Sequence, residues 1–252
     1  MKQEREAADG VVLTVDAGSS LLGEYVALKS EGRVSVEGMN LAQYDAMVVG
    51  RMDALLGLEV LQARAAEAQF AVLSANIVDP KTQEPLFAPY TIIERDGVSF
   101  GIIGISDQEV AELPDMQGVS AYLDPTETAA RYVAELRDQV DVVIVLSRLG
   151  LAQNHALAAA VPGINIIVGG KTKRLLSAPE REGNTLIVEM SSDGERGGKL
   201  QVFIGSDGVP YDYTETVVNL TVDFADDPET LAMIERYKQL YPEPTPIPGI
   251  AY

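Results

Sequence analysis

Arg148, Lys171 and Lys173 stand where an α/β protein gathers its chemistry. Asp141–Lys173 reads as strand, loop, helix, strand, loop. Asp141–Leu146 and Ile164–Val168 are apolar runs joined across the alanine-rich Ala152–Val161, which indicates neighbouring parallel strands buried on both faces. In open sheets of this kind ligands collect beyond the carboxyl ends of the strands. Those ends are Ser147-Arg148-Leu149-Gly150 and Gly169-Gly170-Lys171-Thr172-Lys173. Two more strand ends carry polar side chains, Asp16-Ala17-Gly18-Ser19-Ser20 after Val11–Val15 and Gly50-Arg51-Met52-Asp53 after Tyr44–Val49. Arginine and lysine offer donors and no lone pair, so such a set suits an anion or a neutralising carboxylate. His155 is the single histidine, placed on the Ala152–Val161 helix, and reads as a surface or helix-packing residue.

Composition narrows the classes. The 252 residues are 46% apolar and carry a net charge of −19. No uninterrupted apolar run approaches a membrane span, and the acidic balance argues against a nucleic-acid backbone or an anionic membrane surface as partner. It fits a solvated surface or a basic partner protein. With no cysteine there is no disulfide, thiolate nucleophile or thiolate metal ligand. The opening MKQEREAADG has no apolar core of a secretory signal.

The elements that must position the loops follow from local signals. A short helix is expected over Leu21–Lys29 and another over Leu55–Ala68, with a strand over Phe70–Asn76 that ends on Asn76, read as a turn-former. Asp96-Gly97 between Tyr90–Glu94 and Val98–Ile105 predicts a hairpin. Asp124-Pro125-Thr126-Glu127 and Asp227-Pro228-Glu229 predict capped helix starts, the last helix turning Leu231, Ile234 and Tyr237 one way. Leu186–Met190, Leu200–Ile204 and Tyr211–Val222, with turn signals at Asp193-Gly194 and Ser206-Asp207-Gly208, read as an antiparallel set forming a second sheet. Pro242–Tyr252 holds four prolines and reads as a tail or linker.

The phrases VDAG, LSAN, GIIGIS, VVIVLSRLG, INIIVGG and TVDFADDPET resemble the calcineurin-like metallophosphoesterases, specifically their 5'-nucleotidase branch, over roughly Val11–Leu240. The resemblance implies a four-layer α/β/β/α sandwich over residues 1–240, lacking the family's first strand with its Asp-x-His ligands, and a Pro-rich tail over 241–252. It also implies a two-metal centre, whose metals generate a hydroxide and clamp the phosphoryl oxygens. This sequence departs from the family pattern at the ligands. Ser19 stands in place of the bridging Asp, Arg51 of the Asn, and Arg148, Lys171 and Lys173 of three His; Met52 replaces the His that stabilises the transition state, and Asp53 keeps the acidity of a Glu.

No metal or other cofactor is therefore expected. Ser19, Arg51, Arg148, Lys171 and Lys173 are expected to form either a polar plug neutralised by Asp16 and Asp53 or a pocket for a small anion. An anion pocket predicts that neutralising Arg148 or Lys171 raises stability in anion-free buffer. The function expected is a catalytically inactive, metallophosphoesterase-like binding or scaffold module working with a protein partner in a larger assembly. An active phosphoesterase with an unconventional site and an anion or nucleotide sensor are the alternatives. The resemblance favours an exported, periplasmic or extracellular setting.

Overall fold

The computed structural model describes residues 5, 8, 10–172, 175–190, 196–205, 209–221 and 224–243. Lys173, both turn signals at 193–194 and 206–208, and most of the tail lie outside these residues. In chain order the elements are β1 Val15–Asp16, α1 Tyr25–Lys29, α2 Arg33–Leu41, β2 Ala46–Val48, α3 Leu58–Glu67, β3 Ala71–Leu73, β4 Ile77–Val78, β5 Tyr90–Arg95 and β6 Val98–Ile105. There follow α4 Glu109–Glu112, β7 Ala121–Tyr122, α5 Pro125–Leu136, β8 Val142–Ser147, α6 Leu151–Ala160, β9 Ile166–Gly169, β10 Glu180–Glu182, β11 Thr185–Glu189, β12 Arg196–Ile204, β13 Pro210–Asn219 and α7 Pro228–Leu240.

Two sheets face each other. The first is parallel, in order β1-β2-β3; the second has order β10-β11-β9-β8-β6-β5. In the second sheet β6, β8, β9 and β11 run parallel, and β5 and β10 are antiparallel edges. β8 shows why the central strands are almost wholly apolar. Val142, Ile144 and Leu146 meet Ala46, Val48 and Leu73 of the first sheet. Val143 and Val145 meet Ala129, Val133 and Leu136 of α5 and Leu157 of α6. On the far side of the first sheet, Met47, Val49 and Val72 are covered by Val36, Met39 and Leu61 from α2 and α3. The result is the expected α/β/β/α sandwich. No described helix is long and apolar enough to cross a membrane.

Several local expectations hold. Arg95 pairs with Val98 across Asp96 (φ 52°) and Gly97 (φ 79°), a two-residue turn with both central residues at positive φ. Asp124 and Asp227 cap α5 and α7, accepting from Glu127 N at 2.8 Å and Thr230 N at 2.9 Å.

Others are corrected. Leu21 and Leu22 are buried but lie before the helix, which covers only Tyr25–Lys29. A further helix, α2, forms from RVSVEGMNL, whose β-branched and glycine residues are poor helix formers; burial of Val36 and Met39 overrides that preference. The Leu55–Ala68 helix is shorter, Leu58–Glu67. The strand expected over Phe70–Asn76 stops at Leu73, because Ser74 and Asn76 turn to Ser106: Ser74 Oγ lies 2.8 Å from Ser106 Oγ, and Asn76 accepts from Ser106 N and donates to Ser106 O. Asn76 is thus a buried clamp between segments.

The largest correction concerns Leu186–Met190. That run is β11, buried throughout and paired in parallel with β9 inside the six-stranded sheet. Of the three runs, the last two, as β12 and β13, form an antiparallel ribbon, and the sheet facing the six-stranded one is the amino-terminal β1–β3. α7 buries Met233 and Tyr237, while Leu231 is exposed.

Candidate functional site

The carboxyl ends of β1, β2, β6, β8 and β9 bring five loops together. The first two are bound by one carboxylate. Asp53 accepts from Ser19 N at 2.7 Å, Ser20 N at 2.8 Å, Leu21 N at 2.8 Å and Gly50 N at 2.8 Å. Burial pushes its carboxyl up to about 6, against the opposing pull of backbone donors. Asp16 accepts from Gly18 N and Ser20 Oγ, both at 2.7 Å. Gly18 has φ +84°, and a Cβ there would lie 2.3 Å from the Val48 carbonyl oxygen, so only glycine fits. Ser19 is left-handed at φ 65°, and its Oγ accepts from Met52 N at 3.3 Å.

Among the described residues, Arg51, Arg148 and Lys171 do not pair with these two aspartates, contrary to the expectation for a neutral plug. Arg148, 12% exposed, lays its guanidinium across the loops. Its Nη1 donates to the carbonyls of Gly170, Gly18 (3.2 Å) and Ala17 (3.4 Å), and its Nε lies 3.7 Å from Asp107 Oδ2. Lys171 Nζ donates to Glu109 Oε1 at 2.6 Å, and Arg51 Nε lies 3.8 Å from Glu109 Oε2. Asp107 and Glu109 are therefore the neutralising carboxylates; Asp53 accepts from loop N–H groups and Asp16 from one N–H and the Ser20 hydroxyl. Burial raises the Asp107 carboxyl, countered by Lys171 and Arg148, whereas the Lys171 hydrogen bond lowers Glu109. Neither residue was singled out from the sequence, yet both follow GIIGIS at the end of β6, the neighbour of β8. The strand-end rule applied to that strand would have found them.

Beneath the loops lies a buried polar layer. Ser147 Oγ donates to Asn154 Oδ1 at 2.6 Å, and Glu189 accepts from the Thr172 N–H at 2.6 Å and from its hydroxyl, which fixes the Lys171 loop. Beside it Asp107, Glu109, Glu112, Tyr122, Gln153 and Lys171 border a cleft of about 250 Å³. A larger hollow of about 450 Å³ lies at the amino end of β2, where Arg5 and Arg95 both hold Asp45.

His155 is remote from these loops. Its Nε2 lies 2.6 Å from Glu180 and its Nδ1 3.3 Å from Glu182, so the imidazole ties α6 to the edge strand β10. The hydrogen bond to Glu180 raises its pKa against partial burial. Raised above its unfolded value, it contributes stability that is full below about pH 6.5 and lost as pH rises through the folded value. The expected result is a urea midpoint that falls between pH 5.5 and 8.5 in the native protein, and falls less in His155→Gln.

These side chains do not fit a pair of divalent cations. Arg51, Arg148 and Lys171 have no lone pair to give and repel a cation. The Ser19 oxygen is neutral, and among the described residues no group of three or more His, Cys, Asp or Glu is arranged to hold a metal ion.

A four-layer sandwich with its loops gathered at these strand ends is the metallophosphoesterase-like architecture. No family sequence model matches the chain. A 5'-nucleotidase of Vibrio cholerae is 30% identical over 189 residues, which cover 69% of this chain and 34% of that protein. Among solved structures, a 5'-nucleotidase precursor from Thermus thermophilus superposes with a TM-score of 0.87 at 27% identity, covering 94% of this chain and 51% of that one. The sulfate thiohydrolase SoxB of the same organism shares the fold, with a TM-score of 0.87 at 24% identity over 95% of this chain and 45% of that one. The chain belongs to the calcineurin-like metallophosphoesterase superfamily, in its 5'-nucleotidase branch. It spans about a third of the Vibrio enzyme and half of the Thermus nucleotidase.

Proposed function

We propose that this chain is a catalytically inactive 5'-nucleotidase-like domain that serves as a binding or scaffold module in a larger, exported assembly. The observation that carries the reading is Arg148. Its guanidinium joins the Ala17, Gly18 and Gly170 carbonyls at the point where the strand-end loops meet. A fixed organic cation there supports loop structure and cannot deprotonate water as a bound metal does.

The competing reading, hydrolysis of phosphoesters at an unconventional site, rests on kinship with proteins named as nucleotidases. Elemental analysis after incubation with manganese, iron and zinc, on the same sample assayed with a generic phosphodiester, separates the two. Near-zero metal and no turnover are expected. About two metals per chain (the two-metal stoichiometry) with hydrolysis would overturn the proposal.

A further inference from the structure

We infer that Arg51 and Lys171 form a receptor for one external carboxylate, and that Glu109 occupies it in the resting protein. The inference rests on the binding-module reading and gives it a ligand class. Lys171 Nζ faces Glu109 Oε1 at 2.6 Å and Arg51 Nε faces Oε2 at 3.8 Å, so the two oxygens of a single carboxylate are divided between two cations. Those cations come from different loops, at the ends of β2 and β9, and they meet at the strand ends where α/β sheets take ligands.

Glu109 is held loosely. It is 48% exposed, Arg51 is 45% exposed, and the element carrying Glu109 is a single turn, Glu109–Glu112. Exposed pairs of this kind contribute little, so an incoming carboxylate has little to displace. Arg51 has spare capacity, since its other contact is a weak Nη1 approach to Met52 Sδ at 3.9 Å. The carboxylates nearby have other contacts. Asp107 faces Arg148, and Glu112 accepts from Gln108 Nε2 at 2.8 Å. Once Glu109 swings away, Arg51 has no ion-pair partner left among the described residues and Lys171 keeps its longer-range attraction to Asp107, beside a cleft whose Gln153 and Tyr122 can seat the body of a small molecule.

The test is an NMR titration of the full chain with acetate, following the amides of Gly50–Asp53 and Gly170–Thr172. Inorganic phosphate and matched sodium chloride are run in parallel. Acetate is expected to shift these amides saturably, and Glu109→Gln to tighten binding about fivefold by removing the internal competitor. Lys171→Gln and Arg51→Gln are each expected to abolish it. Equal affinities in the native protein and Glu109→Gln would overturn the inference, as would phosphate binding more tightly than acetate or binding that survives loss of Lys171. None of these results touches the metal analysis, so the receptor can fail while the inactive-module reading stands. Metal uptake with hydrolysis would remove that reading whatever acetate does.

Discussion

Asp53→Ala is expected to lower the free energy of unfolding by about 4 kcal/mol, among the largest effects of any single substitution in this chain. Four backbone N–H groups from two separate loops point at its two oxygens, all within 2.8 Å. Alanine leaves them without an acceptor in a place where the side chain was almost wholly buried. A buried donor left unmade costs about 1–3 kcal/mol, and relaxation with entry of water keeps the sum below the simple total. Urea unfolding at pH 7 measures the loss. A decrease under about 1 kcal/mol would mean that the loops hold their shape without the carboxylate. The substitution should also remove a pH dependence. A carboxyl pushed up to about 6 contributes stability that is full below about pH 4 and lost as pH rises through 6, so the native midpoint falls more steeply there than that of the variant, which keeps only the slope from His155 and other groups.

Arg148→Met is expected to cost about 3 kcal/mol. Methionine retains much of the stem's packing but removes the donor that joins three loop carbonyls, and it takes from the buried Asp107 one of the two cations that counter it. This is the opposite sign from an open anion pocket, in which removing one of several repelling cations relieves strain. Chemical unfolding of the variant in anion-free buffer decides between them. Unchanged or increased stability would show that the carbonyl contacts contribute little. Lys171 behaves differently because its partner Glu109 is half exposed, and Lys171→Gln should leave the midpoint nearly unchanged.

The sandwich was legible because its central strands advertise themselves. Val142–Ser147 and Ile166–Gly169 are short and almost wholly apolar, and apolar faces on both sides leave few architectures open. The Asp96-Gly97 turn and the Asp124 and Asp227 caps depend on a few neighbouring residues and were readable for that reason. What failed depended on distant partners. Thr185–Glu189 sits in the main sheet because β9 offers an edge, which no window around residue 187 reveals. Arg33–Leu41 is helical because Val36 and Met39 have a core to enter. At the site, the cations and the β6 strand end that carries Asp107 and Glu109 were readable, but the pairing of those two carboxylates with the cations was not, since charge matching is settled by which loops become neighbours.

The division of the chain between its sheets has a consequence for how the protein is made. Residues 15–73 supply every strand of one sheet and residues 90–189 every strand of the other, so neither sheet waits for distant sequence to complete its hydrogen-bonded ladder. A ribosome releases the amino-terminal sheet first, with its outer face coverable at once by α2 and α3. Its inner face, Ala46, Val48 and Leu73, has no partner until β6 and β8 have been synthesised. For that interval the nascent chain exposes an apolar sheet surface, and this is the stage of its life at which it is most prone to aggregate and most in need of a chaperone.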